Sequence, residues 1–223
     1  MEPRRAVARP AATGVQSGRP PAGGRTRDGG RRAEPGGRAL AQGPADHVRG
    51  AGPDGPVVTA RHPDRIRDLA RLGLDREEHR GYLGELVKTV ADRLQTPFAL
   101  ADALLNDAQV FLAGTGPVPD WIGESGGTPL EWAFCTRFLT TSAPFTVGDF
   151  TEDPEHRDNP LVRIEGVRSY VGAPLISSTG HVLGGLCALD VRPRHFTEDD
   201  MRYLSGMAAE TVRRIEDHAG RAA

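Results

Sequence analysis

Two segments of the chain repeat apolar residues at intervals of three and four, the spacing that predicts a helix with one buried face. The apolar positions of the first are Tyr82, Leu83, Leu86, Val87, Val90 and Leu94, and those of the second are Met201, Leu204, Ala208, Val212 and Ile215. Asp75 with Glu78, and Thr197 with Asp200, have the spacing of capping pairs at the starts of these two helices. A shorter helix is predicted upstream, with Ile66, Leu69, Ala70 and Leu72 on its apolar side.

Runs of apolar and β-branched residues bounded by turn residues predict two β-hairpins. The first joins PFALADALL to QVFLAGTG through Asn106 and Asp107, which tolerate turn geometry. The second joins VRSYVGAPLISS to HVLGGLCALD through Thr179 and Gly180. Because HVLGGLCALD is apolar on both faces, we expect it to be a central strand that is covered on both sides.

Between the hairpins the pattern predicts a short helix, a strand and a polar connection with one or two helical turns. These correspond to TPLEWAFCTRFLT, PFTVGD and FTEDPEHRDNPLVRIEG. The order along the chain is helices, hairpin, helix, strand, connection, hairpin and helix. This order predicts the α+β fold class with an antiparallel sheet.

The composition divides the chain into a tail and a domain. Residues 1–60 hold 12 of the 28 glycines and 8 of the 18 prolines, so we expect a disordered tail there, a folded domain at 61–218 and a short tail at 219–223. The first tail is rich in arginine but lacks aromatic residues for stacking on bases, so nucleic-acid binding is not expected. A second hypothesis about this tail is that it is an over-extended start, with translation beginning near Val57 or Val58.

The cysteines and the hydropathy pattern bear on the compartment. Cys135 and Cys187 form neither a CxxC motif nor a zinc-binding spacing. No apolar run reaches 18 residues, and no signal peptide is recognisable. We therefore expect a cytoplasmic protein with no membrane contact.

Several motifs, in their order and spacing, resemble the GAF domain family of small-molecule-sensing modules. FCTRFLTTSAPFTVGD is similar to that family's Phe-Cys element and the strand that follows it, and DPEHRDNPLV resembles its connection. YVGAPL, TGHVLGGLCALD and PRHFTEDD are similar to its last hairpin and closing helix. The resemblance covers about residues 61–218.

The resemblance implies an antiparallel sheet with the terminal helices on one face and, on the other, a short helix and the long connection over a pocket. Such domains bind nucleotides, tetrapyrroles or small acids, so a small-molecule ligand is implied but no cofactor is identified. The residues expected to contact it are Phe134, Cys135, Phe138, Asp149, Tyr170 and Ala173. Tyr170, Val171, Ala173 and Pro174 are all assigned to the pocket side.

Two features depart from the family pattern. His156 stands where the family usually has an aromatic residue, and the chain stops after the closing helix. The second feature implies that a signal would pass to a separate protein, such as a kinase or a regulator.

Three functions remain open from the sequence. The leading one is a non-catalytic sensor, because no triad, HExxH, P-loop or paired-carboxylate motif is present. The second is a redox sensor or a methionine sulfoxide reductase-like enzyme that uses Cys135, although Cys187 is assigned to the strand core and not to the pocket. The third is a ligand-free domain that forms a homodimer through its terminal helices.

A metal site in the polar connection is also weighed. Asp149, Asp153, His156 and Asp158 could together bind a divalent cation. Capping of backbone amides is the favoured role for these residues. We therefore expect no metal there.

Overall fold

The computed structural model describes residues 59–74 and 77–222 of the 223-residue chain. The helices are α1 (Pro63–Leu72), α2 (Glu77–Leu94), α3 (Asp120–Ser125), α4 (Phe138–Thr141), α5 (Pro160–Arg163) and α6 (Glu198–Ala222). The strands are β1 (Phe98–Leu104), β2 (Ala108–Thr115), β3 (Gly127–Pro129), β4 (Phe145–Val147), β5 (Ser169–Ile176) and β6 (Val182–Asp190). Two 3-10 turns, Leu130–Trp132 and Phe134–Arg137, precede α4.

The predicted boundaries meet the described residues only in part. The described residues do not include residues 1–58 of the predicted tail. They also do not include the side chains of Asp75 and Glu78, the predicted capping pair. At the other end, α6 continues to Ala222 and so passes the predicted domain end at residue 218. None of the helices among the described residues combines the length and the apolar character of a membrane span.

The six strands form one antiparallel sheet in the order β3-β2-β1-β6-β5-β4. β6 lies between β1 and β5, and all nine of its residues are buried, which confirms the predicted central strand. Both predicted hairpins are present, β1–β2 and β5–β6. The sequence reasoning predicted no element at α3, and it placed Thr128 and Pro129 of β3 in the predicted short helix TPLEWAFCTRFLT.

One face of the sheet is covered by α2 and α6, and we call it the helical face. The two helices supply the predicted apolar stripes, and the strands beneath them contribute mostly small side chains. These small residues are Ala99, Ala101, Ala103, Ala173 and Ala188. Because alanine leaves room above a strand, the leucines and valines of the helices reach the sheet directly. The predicted N-cap box of α6 is confirmed, since Thr197 and Asp200 hydrogen-bond each other's backbone amides.

α1 differs from the prediction. Leu69 and Leu72 are buried as expected, but Ala70 is exposed, and two charged residues, Arg65 and Asp68, are buried instead. Arg65 donates to the backbone carbonyls of Ala60, Leu104, Val182 and Leu183, so it satisfies acceptors where β1 ends and β6 begins. Burial lowers the pKa of this guanidinium to about 10.

The opposite face of the sheet is covered by the lid, which we define as residues 130–141 and 149–168. The lid contains the two 3-10 turns, α4 and α5. Asn159 joins its two parts, because its side chain accepts a hydrogen bond from the Leu161 amide and donates to the Trp132 carbonyl, 3.0 Å away. The lid therefore contains the two parts predicted for it, a short helical segment and an irregular connection.

Candidate functional site

The pairing of β1 with β6 orders the side chains that face the lid. Because alternate residues of a strand point to the same face, the pairs Phe98–Leu189, Leu100–Cys187 and Asp102–Gly185 form three successive rows on the lid face. The first two rows are almost entirely apolar. The third introduces a carboxyl group with no exposed surface.

A buried polar cluster surrounds this carboxyl group and consists of Asp102, Gln109, Cys135, Tyr170 and Cys187. The Cys135 thiol donates to Asp102 Oδ2 at 3.2 Å and lies 3.3 Å from the Tyr170 hydroxyl. Gln109 Nε2 lies 3.6 Å from the same sulfur. Potential ligand atoms of Asp102, Cys135 and Cys187 all lie within 4.8 Å of one another. The lid and four strands, β1, β2, β5 and β6, therefore meet at one polar cluster.

Burial raises the pKa values of the ionisable groups in the cluster. Burial raises the pKa of Asp102 to about 7, although hydrogen bonds from Cys135, Gln109 and the Gly185 amide oppose the shift. The hydrogen bond with Cys187 and burial raise the pKa of Cys135 well above its usual range. Burial is also the main cause of the raised pKa values of Cys187 and Tyr170. Since the thiolate is the reactive form of cysteine, both thiols are poor nucleophiles.

Two glycines make the close packing of the cluster possible. A Cβ atom on Gly185 would lie 2.8 Å from the Phe138 ring and 3.0 Å from the Cys135 sulfur. A Cβ atom on Gly172 would lie 2.1 Å from the Tyr170 hydroxyl oxygen. The absence of side chains at these positions lets the lid and Tyr170 approach the strands.

Aromatic rings fill the space beneath the Cys135 turn, where the sequence predicted the pocket. Phe134 stacks on Phe150 with ring centroids 4.1 Å apart, and Phe145 stacks on Tyr170 at 4.9 Å. His156 packs edge-on against Phe134 and Phe150, at 5.5 and 5.6 Å. His156 therefore packs as one of the aromatic rings of the lid.

The open space on the lid face lies next to the polar cluster, above the first two rows of the sheet. It is a cavity of about 350 Å³ between β1, β2, α3 and the segment around α5. Its lining includes Phe98, Leu100, Phe111, Ile122, Leu161 and Leu189. Glu165 contributes a carboxylate, and Trp121 Nε1 donates to it at 2.9 Å. The cavity is thus mainly apolar, with one carboxylate in its lining.

The predicted ligand residues divide among three places. Phe134, Cys135, Phe138 and Tyr170 do lie together on the lid face. Asp149 instead pairs with Arg168, whose hydrogen bonds lower the pKa of that carboxyl.

The assignment of Ala173 and Val171 to the pocket side needs correction, because both belong to the helical-face core. Tyr170 faces the lid. Because successive side chains of a strand point to opposite faces, the residues one and three positions after Tyr170 face the other side of the sheet. Pro174, the fourth residue assigned to the pocket side, pairs with Gly185 of β6. It lies two residues past Gly172, where the pairing of β5 with the short edge strand β4 ends. None of the six predicted ligand residues lines the 350 Å³ cavity.

The structure also bears on the residues weighed as a metal site. Asp149 is held by Arg168, His156 lies 2.7 Å from Asp153, and Asp158 contacts Arg163. Asp149 and Asp153 accept backbone amide hydrogen bonds from Thr151 and Glu155. These contacts support the capping role that the sequence favoured.

Sequence reasoning missed Asp102, Gln109 and the cavity. A signal for Asp102 was present, because it is the single charged residue in FALADAL and continues the alternation of Phe98 and Leu100. Trp121 and Glu165 gave no such signal, since they are 44 residues apart and only the fold joins them.

The comparisons with known proteins agree with this architecture. The sequence profile of the family described as GAF domain matches residues 82–215. A cyclic di-GMP phosphodiesterase of Pseudomonas aeruginosa is 35% identical over 147 residues, which is 65% of this chain but 24% of that protein. This chain therefore spans about a quarter of that relative's length.

Solved structures show the same fold. The GAF domain of a phosphoenolpyruvate-protein phosphotransferase from Coxiella burnetii superposes with a TM-score of 0.55 and 15% identity, covering 75% of this chain and 96% of that one. The free methionine-R-sulfoxide reductase of Neisseria meningitidis, solved with its substrate, gives a TM-score of 0.53 and 20% identity, covering 77% and 95%.

Proposed function

Because the chain belongs to the GAF domain family, we propose that it is a non-catalytic sensory domain that binds a small, largely apolar molecule in the 350 Å³ cavity and transmits the bound state to a signalling partner. The cavity carries the proposal. Its volume falls in the range of small-molecule sites, and its lining is apolar with one oriented polar group, as in such sites generally. The predicted position beneath Cys135 is filled by aromatic rings, so the proposed site is displaced from it toward α3.

The charge of the lining limits the chemistry of the ligand. Glu165 is the acidic group at the cavity, and no basic side chain is among the described residues that line it. A phosphate-bearing ligand would meet a carboxylate of like charge. The proposed ligand is therefore uncharged or cationic, with a hydrogen-bond donor placed toward Glu165.

The position of the cavity supports a route for signalling. Its lining combines the sheet with α3 and with lid residues Leu161, Glu165 and Val167. A ligand that contacts both the sheet and the lid stabilises the arrangement in which they are close. It shifts the domain by the difference between its affinities for the two arrangements.

The polar cluster supports a non-catalytic role. Cys135 and Cys187 are both buried, and both have raised pKa values, whereas thiol catalysis requires an accessible thiolate. We expect iodoacetamide to label these cysteines in the native protein no faster than the protein unfolds. Rapid native labelling, together with methionine sulfoxide reductase turnover that Cys135→Ala abolishes, would favour the enzyme alternative.

A matched pair of tryptophan substitutions tests the binding site. Leu161 lines the cavity, whereas Ile164 lies three residues away with 76% of its surface exposed. We expect the uncharged fluorophore phenylnaphthylamine to bind the unmodified chain and Ile164→Trp alike, and to bind Leu161→Trp roughly tenfold more weakly because the indole occupies the cavity. Equal binding to both variants, with far-ultraviolet circular dichroism unchanged, would place the site elsewhere.

A further inference from the structure

Three potential metal ligands from two separate segments meet beside the start of α1. His62 precedes α1 and Asp64 lies in its first turn, while His181 lies at the end of the β5–β6 turn. One ligand atom from each residue lies within 4.8 Å of the others. The rings of His62 and His181 have their centroids 5.9 Å apart. This cluster plays no part in the cavity or in the polar cluster.

A buried carboxylate orients one of the two histidines. His181 Nδ1 lies 2.9 Å from Oδ2 of Asp68, which is largely buried and also accepts hydrogen bonds from Ser177 and Thr179. When Nδ1 donates its proton to Asp68, Nε2 carries the free lone pair. A histidine whose second nitrogen is held by a carboxylate is the usual arrangement around protein-bound zinc.

We propose that His62, Asp64 and His181 form a zinc-binding site. Two imidazoles and one carboxylate are ligands that suit Zn²⁺, with a fourth position left for water. Zinc bonds of about 2.1 Å in a tetrahedron place ligand atoms about 3.4 Å apart. His62 and Asp64 are exposed, so their side chains can rotate to close the remaining distance while Asp68 fixes His181.

One existing contact competes with the metal. Arg67 contacts Oδ1 of Asp64, and both side chains are more than half exposed. Exposed ion pairs of this kind contribute little to stability. Asp64 Oδ2 remains available for a metal, so the pair does not block the site.

Zinc at this position would join α1 to the β5–β6 turn. α1 precedes the residues that match the family profile, 82–215, and hydrogen bonds of Arg65 and Asp68 already hold it near β6 and this turn. The ion would add a coordinate link to these hydrogen bonds. This inference does not depend on a ligand in the cavity.

The experiment uses the full chain after treatment with a chelator, titrated with zinc chloride by isothermal titration calorimetry. We expect one Zn²⁺ per chain and a higher melting temperature when zinc is present. The zinc X-ray absorption spectrum should report two imidazole ligands. His62→Gln and His181→Gln should each weaken binding by roughly tenfold or more.

Two features of the design keep the result interpretable. His62 makes its hydrogen bonds with Thr59 and Ile66 through the backbone, so His62→Gln preserves the start of α1 even if His181→Gln loosens the turn. His195→Gln, in the exposed segment before α6, is the matched control and should bind zinc like the unmodified chain. Absence of saturable binding, or equal affinity of His62→Gln and His195→Gln, would overturn the proposal.

Discussion

The two faces of the sheet are built from the same strands but differ in what covers them. On the helical face, α2 and α6 press leucine, valine and isoleucine side chains onto alanines of the strands. On the lid face, short helical turns cover aromatic rings, a buried carboxyl, two thiols and a cavity. The buried layer of the helical face is therefore mainly aliphatic, whereas the lid face combines aromatic rings with polar groups and a cavity.

This difference indicates which face of the sheet a bound ligand can rearrange. Where α2 and α6 cover the strands, removing side-chain atoms leaves a cavity and costs stability, so this part of the helical face has little freedom to rearrange. The lid consists of short segments connected by turns, and it already borders an unfilled volume. We therefore expect substitutions on the helical face to affect folding, and those on the lid face to affect binding and pH response.

The largest effect is expected from truncating a fully buried leucine of α6. Leu204 has no exposed surface, so Leu204→Ala should lower the free energy of unfolding by about 3 kcal/mol. Leu161→Ala, at the half-buried cavity lining, should lower it by about 1 kcal/mol, because space is already present beside it. Urea unfolding of both variants measures the comparison. Equal losses would mean that the two faces are packed alike.

The next effect depends on pH and comes from Asp102 on the lid face. Its pKa is about 7 in the folded protein and about 3.9 in an unfolded chain. The folded state therefore binds the proton more tightly, so this stabilisation is fully present below about pH 4 and is lost as the pH rises through about 7. Asp102→Asn stays neutral throughout.

Urea unfolding at several pH values tests this prediction. Between about pH 5 and about pH 7, the unmodified protein should lose about 2 kcal/mol of unfolding free energy relative to Asp102→Asn. Other titrating groups are common to both proteins, so the difference isolates Asp102. A difference that does not change with pH would show that the carboxyl is ionised throughout, contrary to the burial argument.

The helical face was largely predictable from sequence, for a local reason. The stripes of α2 and α6 repeat with the helical period, so Leu83, Val90 and Leu204 are recognisable without knowledge of their partners. Strand β6 was predictable in the same way, because an apolar run on both faces requires cover on both sides. Each of these inferences uses only residues within one element.

The candidate site was less predictable because it depends on contacts between distant segments. The sequence identified Cys135 and Tyr170 correctly as neighbours, through the family motifs, and their sulfur and oxygen atoms are 3.3 Å apart. It assigned Cys187 to the strand core without its contact with Cys135, and it placed Ala173 on the wrong face. It could not reveal that the rings of Phe134 and Phe150 fill the expected pocket, since side-chain volume between a lid and a sheet is a property of the packed structure.

The smallest effect compares one hydroxyl group on each side of the sheet. Tyr170 is 1% exposed, and its hydroxyl lies 3.3 Å from the Cys135 sulfur, so Tyr170→Phe should lower the free energy of unfolding by about 1 kcal/mol. Tyr82 is half-buried on α2, and its hydroxyl donates to the Thr211 carbonyl over 3.4 Å, so Tyr82→Phe should cost less than about 0.5 kcal/mol. Paired denaturant melts at one pH measure both. An equal or larger loss for Tyr82→Phe would mean that the polar cluster contributes little to holding the lid, and that packing alone keeps it on the sheet.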